Sequence, residues 1–153
     1  MSVSDWGNAT WYMMHTLAAK LKPDNNVFVP VLFNQFRYVC SNLPCPECSE
    51  HAARMFATAN ISAVVDKDSL IRFLNALHNR VNNRLQKPEV NLNDCIEKYD
   101  KFDLSAVLFH YFNTLLNIRS QDQAMINGFT MKRCVNNFRI FILENKDAFI
   151  RQH

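Results

Sequence analysis

Cys45-Pro46-Glu47-Cys48 sets two thiols three residues apart. Such a pair can close a small disulfide that another thiol attacks, or it can supply half of a zinc site. Pro46 suits the first turn of a helix. That puts Cys45 at or beside a helix N-terminus, where unsatisfied backbone N–H groups and the dipole favour thiolate over thiol. Spacing alone leaves redox chemistry, metal binding and coincidence open. The zinc alternative needs more ligands, and Cys40 and His51 stand close enough in sequence to join Cys45 and Cys48 in a zinc-stabilised helical interaction module. Cys45, Cys48 and His51 would then crowd one helical turn, whereas structural zinc sites usually draw ligand pairs from separate segments. Cys40 also reads simply as a small buried apolar residue.

Two further groups carry chemistry. His78 and Asn82 are four apart and share a helix face, with Asn79 and Asn83 repeating the spacing beside them. Asparagine competes with the helix backbone and is a poor choice for a plain solvent face, though a polar strip beside an apolar stripe is often no more than that. Its amides offer paired donors and acceptors to a flat heterocycle or sugar, and Lys87 just beyond can reach a phosphate. Trp11 and His15 are also four apart, with Gly7 one turn earlier. They read as a core aromatic beside a satisfied histidine, or as a ring packed on a planar cofactor with an imidazole next to it.

The elements that position these groups are helical. Apolar spacing predicts helices over about Ser4–Leu21 (Ser4 as N-cap), from Pro30 to the break at Asn42–Pro44, from Cys45-Pro46 to Ala59, from Asp68 or Ser69 to Leu85, and over Asn93–Phe102. Two more apolar helices follow, Leu104–Arg119 and Thr130–Asn145, the second extending toward Arg151, with Ser120–Gly128 as a polar linker. This divides the chain into a helical core at 1–102 and a helical extension at 103–153. Phe109, Tyr111, Phe112 and Phe138 are too many aromatics for a solvated tail, so the extension covers the core or a second subunit.

Composition narrows the classes. With 2 Gly and 5 Pro in 153 residues, there is too little turn punctuation for an all-β fold, and no glycine-rich phosphate loop. The net charge of +3 is spread along the chain and gives no nucleic-acid footprint. No apolar stretch approaches a membrane span, and Met1–Thr10 lacks the pattern of a signal peptide. Five cysteines do not make a disulfide scaffold, so each is read by itself.

Taken together, Gly7-x3-Trp11-x3-His15-Thr16-Leu17-Ala18, Cys45-x2-Cys48 and Leu77-His78-Asn79-x-Val81-Asn82-x2-Leu85-x-Lys87-Pro88 resemble the Erv/ALR family of FAD-linked sulfhydryl oxidases, over about residues 5–102. The resemblance implies an all-α protein: a four-helix bundle with a short fifth helix, here with the C-terminal helical extension added. It implies non-covalently held FAD, with contacts from Gly7, Trp11, His15, His78, Asn79, Val81, Asn82, Leu85 and Lys87. Tyr99, eleven positions after Pro88, would stack on the adenine. It implies that Cys45 is attacked by the substrate thiolate, that Cys48 faces the flavin, and that O2 takes the electrons to give hydrogen peroxide. The implied partners are a protein dithiol substrate or a small dithiol relay protein, and a second copy in a homodimer, with the extension either enlarging that interface or shielding the flavin.

The chain also departs from the family. Cellular members carry a C-x16-C disulfide that would fall here at Leu92 and Phe109, and Cys95 stands three residues late. Cys95 is left to pair with Cys134, with Cys40, or with nothing. The family's basic residue after the first glycine is Asn8 here, and there is no second C-x-x-C shuttle. In these respects the chain is most like the small members encoded by large cytoplasmic DNA viruses. That likeness implies the host cytoplasm or the virion, with the mitochondrial intermembrane space as the alternative.

Overall fold

The computed structural model describes residues 3–118 and 125–150. Seven α-helices run through them: α1 (Val3–Lys20), α2 (Val29–Cys40), α3 (Pro46–Ala57), α4 (Lys67–Arg84), α5 (Leu92–Asp100), α6 (Leu104–Leu116) and α7 (Met125–Glu144). The described residues contain no β-strand, only one antiparallel bridge between Leu21 and Phe149. No described helix is long and apolar enough to cross a membrane.

The all-α reading holds, and the differences lie at helix ends. Helix α1 begins at Val3, so Ser4 stands inside its first turn instead of capping it. Helix α4 begins earlier than its apolar stripe because Asp66 caps it: the carboxylate accepts the Ser69 N–H at 2.8 Å, and the Ser69 hydroxyl accepts the Asp66 N–H at 3.0 Å. Helices α3 and α6 stop two to three residues short of the predicted ends. Helix α7 already includes Met125–Gly128, the end of the predicted linker; Ser120–Ala124 lie outside the described residues. Helix α7 ends at Glu144, and a 3-10 turn at Lys146–Ala148 replaces the predicted continuation toward Arg151, which itself lies outside the described residues.

Helix α1 is the hub. Met13, Met14, Leu17, Ala18 and Leu21 are fully buried, and the helix packs on α4, α5 and α6. Helix α2 closes the other side through Leu32, Phe33 and Phe36, packing on α3, α4 and α7. Tyr111 and Leu115 of α6 and Met131, Val135, Phe138 and Ile142 of α7 join the same continuous core. The chain end is stitched back to α1: Lys22 N–H donates to Ala148 O at 3.0 Å and Ile150 N–H to Lys20 O at 2.7 Å. Each fully buried Phe or Leu contributes about 1.5–3 kcal/mol, so the packing of α6 and α7 supplies a large share of the stability.

Candidate active site

Cys45 is the N-cap of α3, and Pro46 occupies the first helical turn. The Cys45 sulfur accepts the Cys48 backbone N–H at 3.2 Å, the contact a helix start offers to sulfur-centred negative charge. The loop before it is fixed by Ser49, whose hydroxyl takes the Leu43 N–H at 2.8 Å. Both cysteines are thiols, half-buried. Burial pushes the Cys48 thiol up to about 11, helped by its hydrogen bond to Cys45 and that neighbour's charge, and opposed by Arg84.

Cys48 opens onto a cavity of about 680 Å3, within the size range of cofactor sites. Gly7 and Trp11 of α1 line it. So do His78, Val81 and Asn82 of α4, followed by Leu85 and Lys87 at that helix's end, and Tyr99 of α5. The indole of Trp11 lies flat on the imidazole of His78, with centroids 3.9 Å apart and planes 7° apart. Lys87 is brought to the rim by the way α4 ends. Gln86 adopts φ 59°, the Gln86 N–H donates to Asn83 O and the Lys87 N–H to Asn82 O, a Schellman turn.

Two expected contacts sit elsewhere. His15 does not line this cavity: it is 3% exposed and lies behind His78, its Nε2 3.0 Å from His78 Nδ1. Asn79 does not line it either. Its amide is bound at both ends by Val90, donating to Val90 O at 2.8 Å and accepting the Val90 N–H at 2.9 Å. Burial, then the His78 and Lys98 charges, lowers His15 to about 3. Burial, then Lys98 and Lys87, lowers His78 to about 4. Both imidazoles are therefore neutral near pH 7.

The sequence reading missed Tyr12, Arg84 and Lys98, all at the cavity. Lys98 lies 5.0 Å above the Tyr12 ring and 5.3 Å above the Tyr99 ring. Its place directly before Tyr99, and Arg84 three residues before Lys87, were the available signals. Asn8 does line the cavity, where the family carries a basic residue. The zinc set does not assemble: no three His, Cys, Asp or Glu among the described residues converge on a metal position. His51 lines the cavity, and the Cys40 thiol is buried against Met14 Sδ at 3.6 Å. All five cysteines are free, Cys95 included.

The cavity fits a large planar cofactor bearing phosphates. Its walls offer flat aromatic faces, apolar side chains, an amide and, in Arg84, Lys87 and Lys98, three cations. Gly7 adds a second sign. A Cβ there would meet no protein atom within 4 Å, so packing does not require the glycine, although mid-helix glycine costs about 1 kcal/mol relative to alanine. The space it leaves belongs to the cavity that it lines.

A protein of Invertebrate iridescent virus 3 whose assigned name is FAD-linked sulfhydryl oxidase is 32% identical over 96 residues, covering 61% of this chain and 65% of that relative. The chain thus spans just under two thirds of that relative's length. A fowlpox virus (strain NVSL) protein with the same assigned name is 29% identical over 76 residues, covering 50% of this chain and 77% of the relative. No solved structure matches. The Erv1 / Alr family model matches residues 8–101, the stretch that runs from the Gly7 end of the cavity through both cysteines to Tyr99, and the chain belongs to that family.

Proposed function

We propose that this protein is an FAD-dependent thiol oxidase that makes disulfides in protein substrates. The carrying observation is that Cys48, one half of the C-x-x-C pair, lines the same cavity as the Trp11–His78 stack and the three cations.

The residues that would hold the cofactor are Trp11 and His78 by their flat faces, Val81 and Leu85 by apolar contact, and Asn82 by its amide. Lys87, with Arg84 and Lys98, would neutralise the diphosphate; Tyr99 would stack on the adenine; Gly7 would leave room. His15 and Asn79 act one step back, His15 through its contact with His78 and Asn79 by fixing the loop at Val90. What bound FAD supplies is acceptance of the electron pair from the reduced cysteines and its transfer onward.

The chain's own steps are thiol–disulfide exchange. In the oxidised form a substrate thiolate attacks Cys45 Sγ of the Cys45–Cys48 disulfide, and Cys48 leaves with the electron pair. The second substrate thiol then displaces Cys45. The substrate leaves as a disulfide, and the chain holds the two thiols seen in the structure. With O2 as final acceptor, the sum is dithiol plus O2 to disulfide plus H2O2. The substrate is a protein dithiol, presented directly or through a small dithiol relay protein.

We infer a homodimer on family membership. The exposed Phe109 of α6 and Phe129 of α7 offer apolar surface for a larger interface. None of the described residues after 102 lines the cavity, which argues against a role for the extension in shielding the flavin. A monomer by analytical ultracentrifugation would remove the dimer reading. The viral relatives favour action in the host cytoplasm or virion over the mitochondrial intermembrane space. Fractionation of producing cells separates these settings.

The deciding experiment is a visible absorption spectrum of the purified protein, followed by acid release of the chromophore. The expected result is a flavin band and FAD, with Cys45→Ser and Cys48→Ser keeping the colour and losing thiol-dependent peroxide release. A folded protein that stays colourless after FAD is offered overturns the reading.

A further inference from the structure

A smaller cavity of about 150 Å3 lies on the other side of Tyr99, lined by His15, Cys95, Lys67 and Asp100. Between it and the larger cavity runs a line of polar atoms to which the thiol chemistry gives no role. Cys95 is 3% exposed, and its Sγ lies 3.7 Å from His15 Nδ1. His15 Nε2 in turn lies 3.0 Å from His78 Nδ1. Both rings are held by stacking, His15 on Tyr99 at 4.4 Å and 11°, and His78 on Trp11 at 3.9 Å and 7°.

A neutral imidazole carries one N–H and one lone pair. Burial keeps both of these neutral near pH 7. The role that His15 Nδ1 takes therefore dictates its Nε2, and through it both nitrogens of His78. The direction is set at the cysteine end. A bare imidazole nitrogen is a good acceptor, and a thiol sulfur is a weak one for a ring N–H, so the thiol donates.

We propose that Cys95 is a positioning residue for the cofactor site: its S–H donates to His15 Nδ1, His15 Nε2–H donates to His78 Nδ1, and His78 is thereby held with its proton on Nε2. That N–H is the remaining polar group of His78, which lines the larger cavity, and it would donate to an acceptor atom of the cofactor. The proposal rests on the reading of that cavity as the FAD site. It gives a role to a cysteine out of register with the family's C-x16-C disulfide.

The test begins with nitrogen NMR of the imidazoles in the unaltered protein at about pH 7, which distinguishes protonated from bare ring nitrogens without any cofactor. Both His15 and His78 are expected to carry the proton on Nε2; a proton on Nδ1 of either overturns the proposal. Cys95→Ala and the volume-keeping Cys95→Val both remove the donor. Each is expected to release His78 into a mixture of tautomers and to weaken FAD binding about two- to tenfold, read by fluorescence titration. A Cys95→Val protein with unchanged tautomer and FAD affinity reduces Cys95 to packing and overturns the proposal. Should neither variant fold, the spectrum of the unaltered protein still decides. Failure of the unaltered protein to take up FAD counts against the cofactor reading, whereas the tautomer result stands apart from it.

Discussion

Cys45 and Cys48 are chemically identical, and the fold makes them different. Cys48 lines the cavity with its thiol pushed up to about 11 by burial, whereas Cys45 caps the N-terminus of α3, where backbone N–H groups favour the thiolate. A limiting amount of iodoacetamide is expected to modify Cys45 before Cys48, as mass spectrometry of the tryptic peptides would read; prior modification of Cys48 would reverse the proposed roles. The histidine pair gives a second prediction. His15 falls from 6.5 to about 3 and His78 from 6.5 to about 4, so between these values and 6.5 the unfolded chain binds more protons than the folded one. Stability is therefore full above about pH 6.5 and is lost as pH falls through that window. Thermal melts of the unaltered protein should show Tm dropping from pH 6.5 toward 4, and His15→Gln should flatten the slope; an equal slope in both would exclude the pair as its source. At this scale the thiols, Trp11 and His78 were legible from type and spacing. His15 and Asn79 were legible as members of the right faces but not by contact. The partner of Asn79, Val90, lies in a loop whose path no periodicity records.

Helix α4 shows what apolar periodicity does and does not carry. The stripe Leu70, Leu74 and Leu77 marks its buried face, but both ends are set by polar or backbone features. The start at Asp66 rests on a capping pair closed by Ser69, where Glu or Gln is the more familiar partner. The stop comes from Gln86 in the left-handed region at φ 59°, ahead of Pro88. That turn carries Lys87 to the cavity rim, so local strain supports site geometry. Gln86 is exposed, and a glycine adopts the same φ without a Cβ clash. Gln86→Gly is expected to raise stability by about 0.5–1 kcal/mol in urea unfolding and to leave FAD affinity unchanged. A destabilised variant would mean that Gln86 makes a contact the turn geometry alone does not account for.

At the scale of the molecule, the family-like segment and the extension are separate in sequence and joined in packing. The family match ends at residue 101, yet α6 packs on α1, the helix whose other face carries Gly7 and Trp11 into the cavity. Tyr111 and Phe138 are completely buried in the core that α1 and α2 build. The aromatic content of the extension made its burial legible. Its register against α1 was not, because contacts between residues so far apart in the chain leave no trace in local spacing. We propose 1–102 as the catalytic unit and 103–153 as the extension that completes its core. Phe138→Ala is then expected to cost about 3–5 kcal/mol and to lower Tm strongly, without changing FAD affinity while the protein remains folded. Deleting 103–153 strips the buried faces of α1 and α2, and the shortened chain is expected to lose its cooperative melt and its flavin together. A shortened chain that melts at the Tm of the full protein and binds FAD equally well would make 102 a true domain boundary and the extension an appendage.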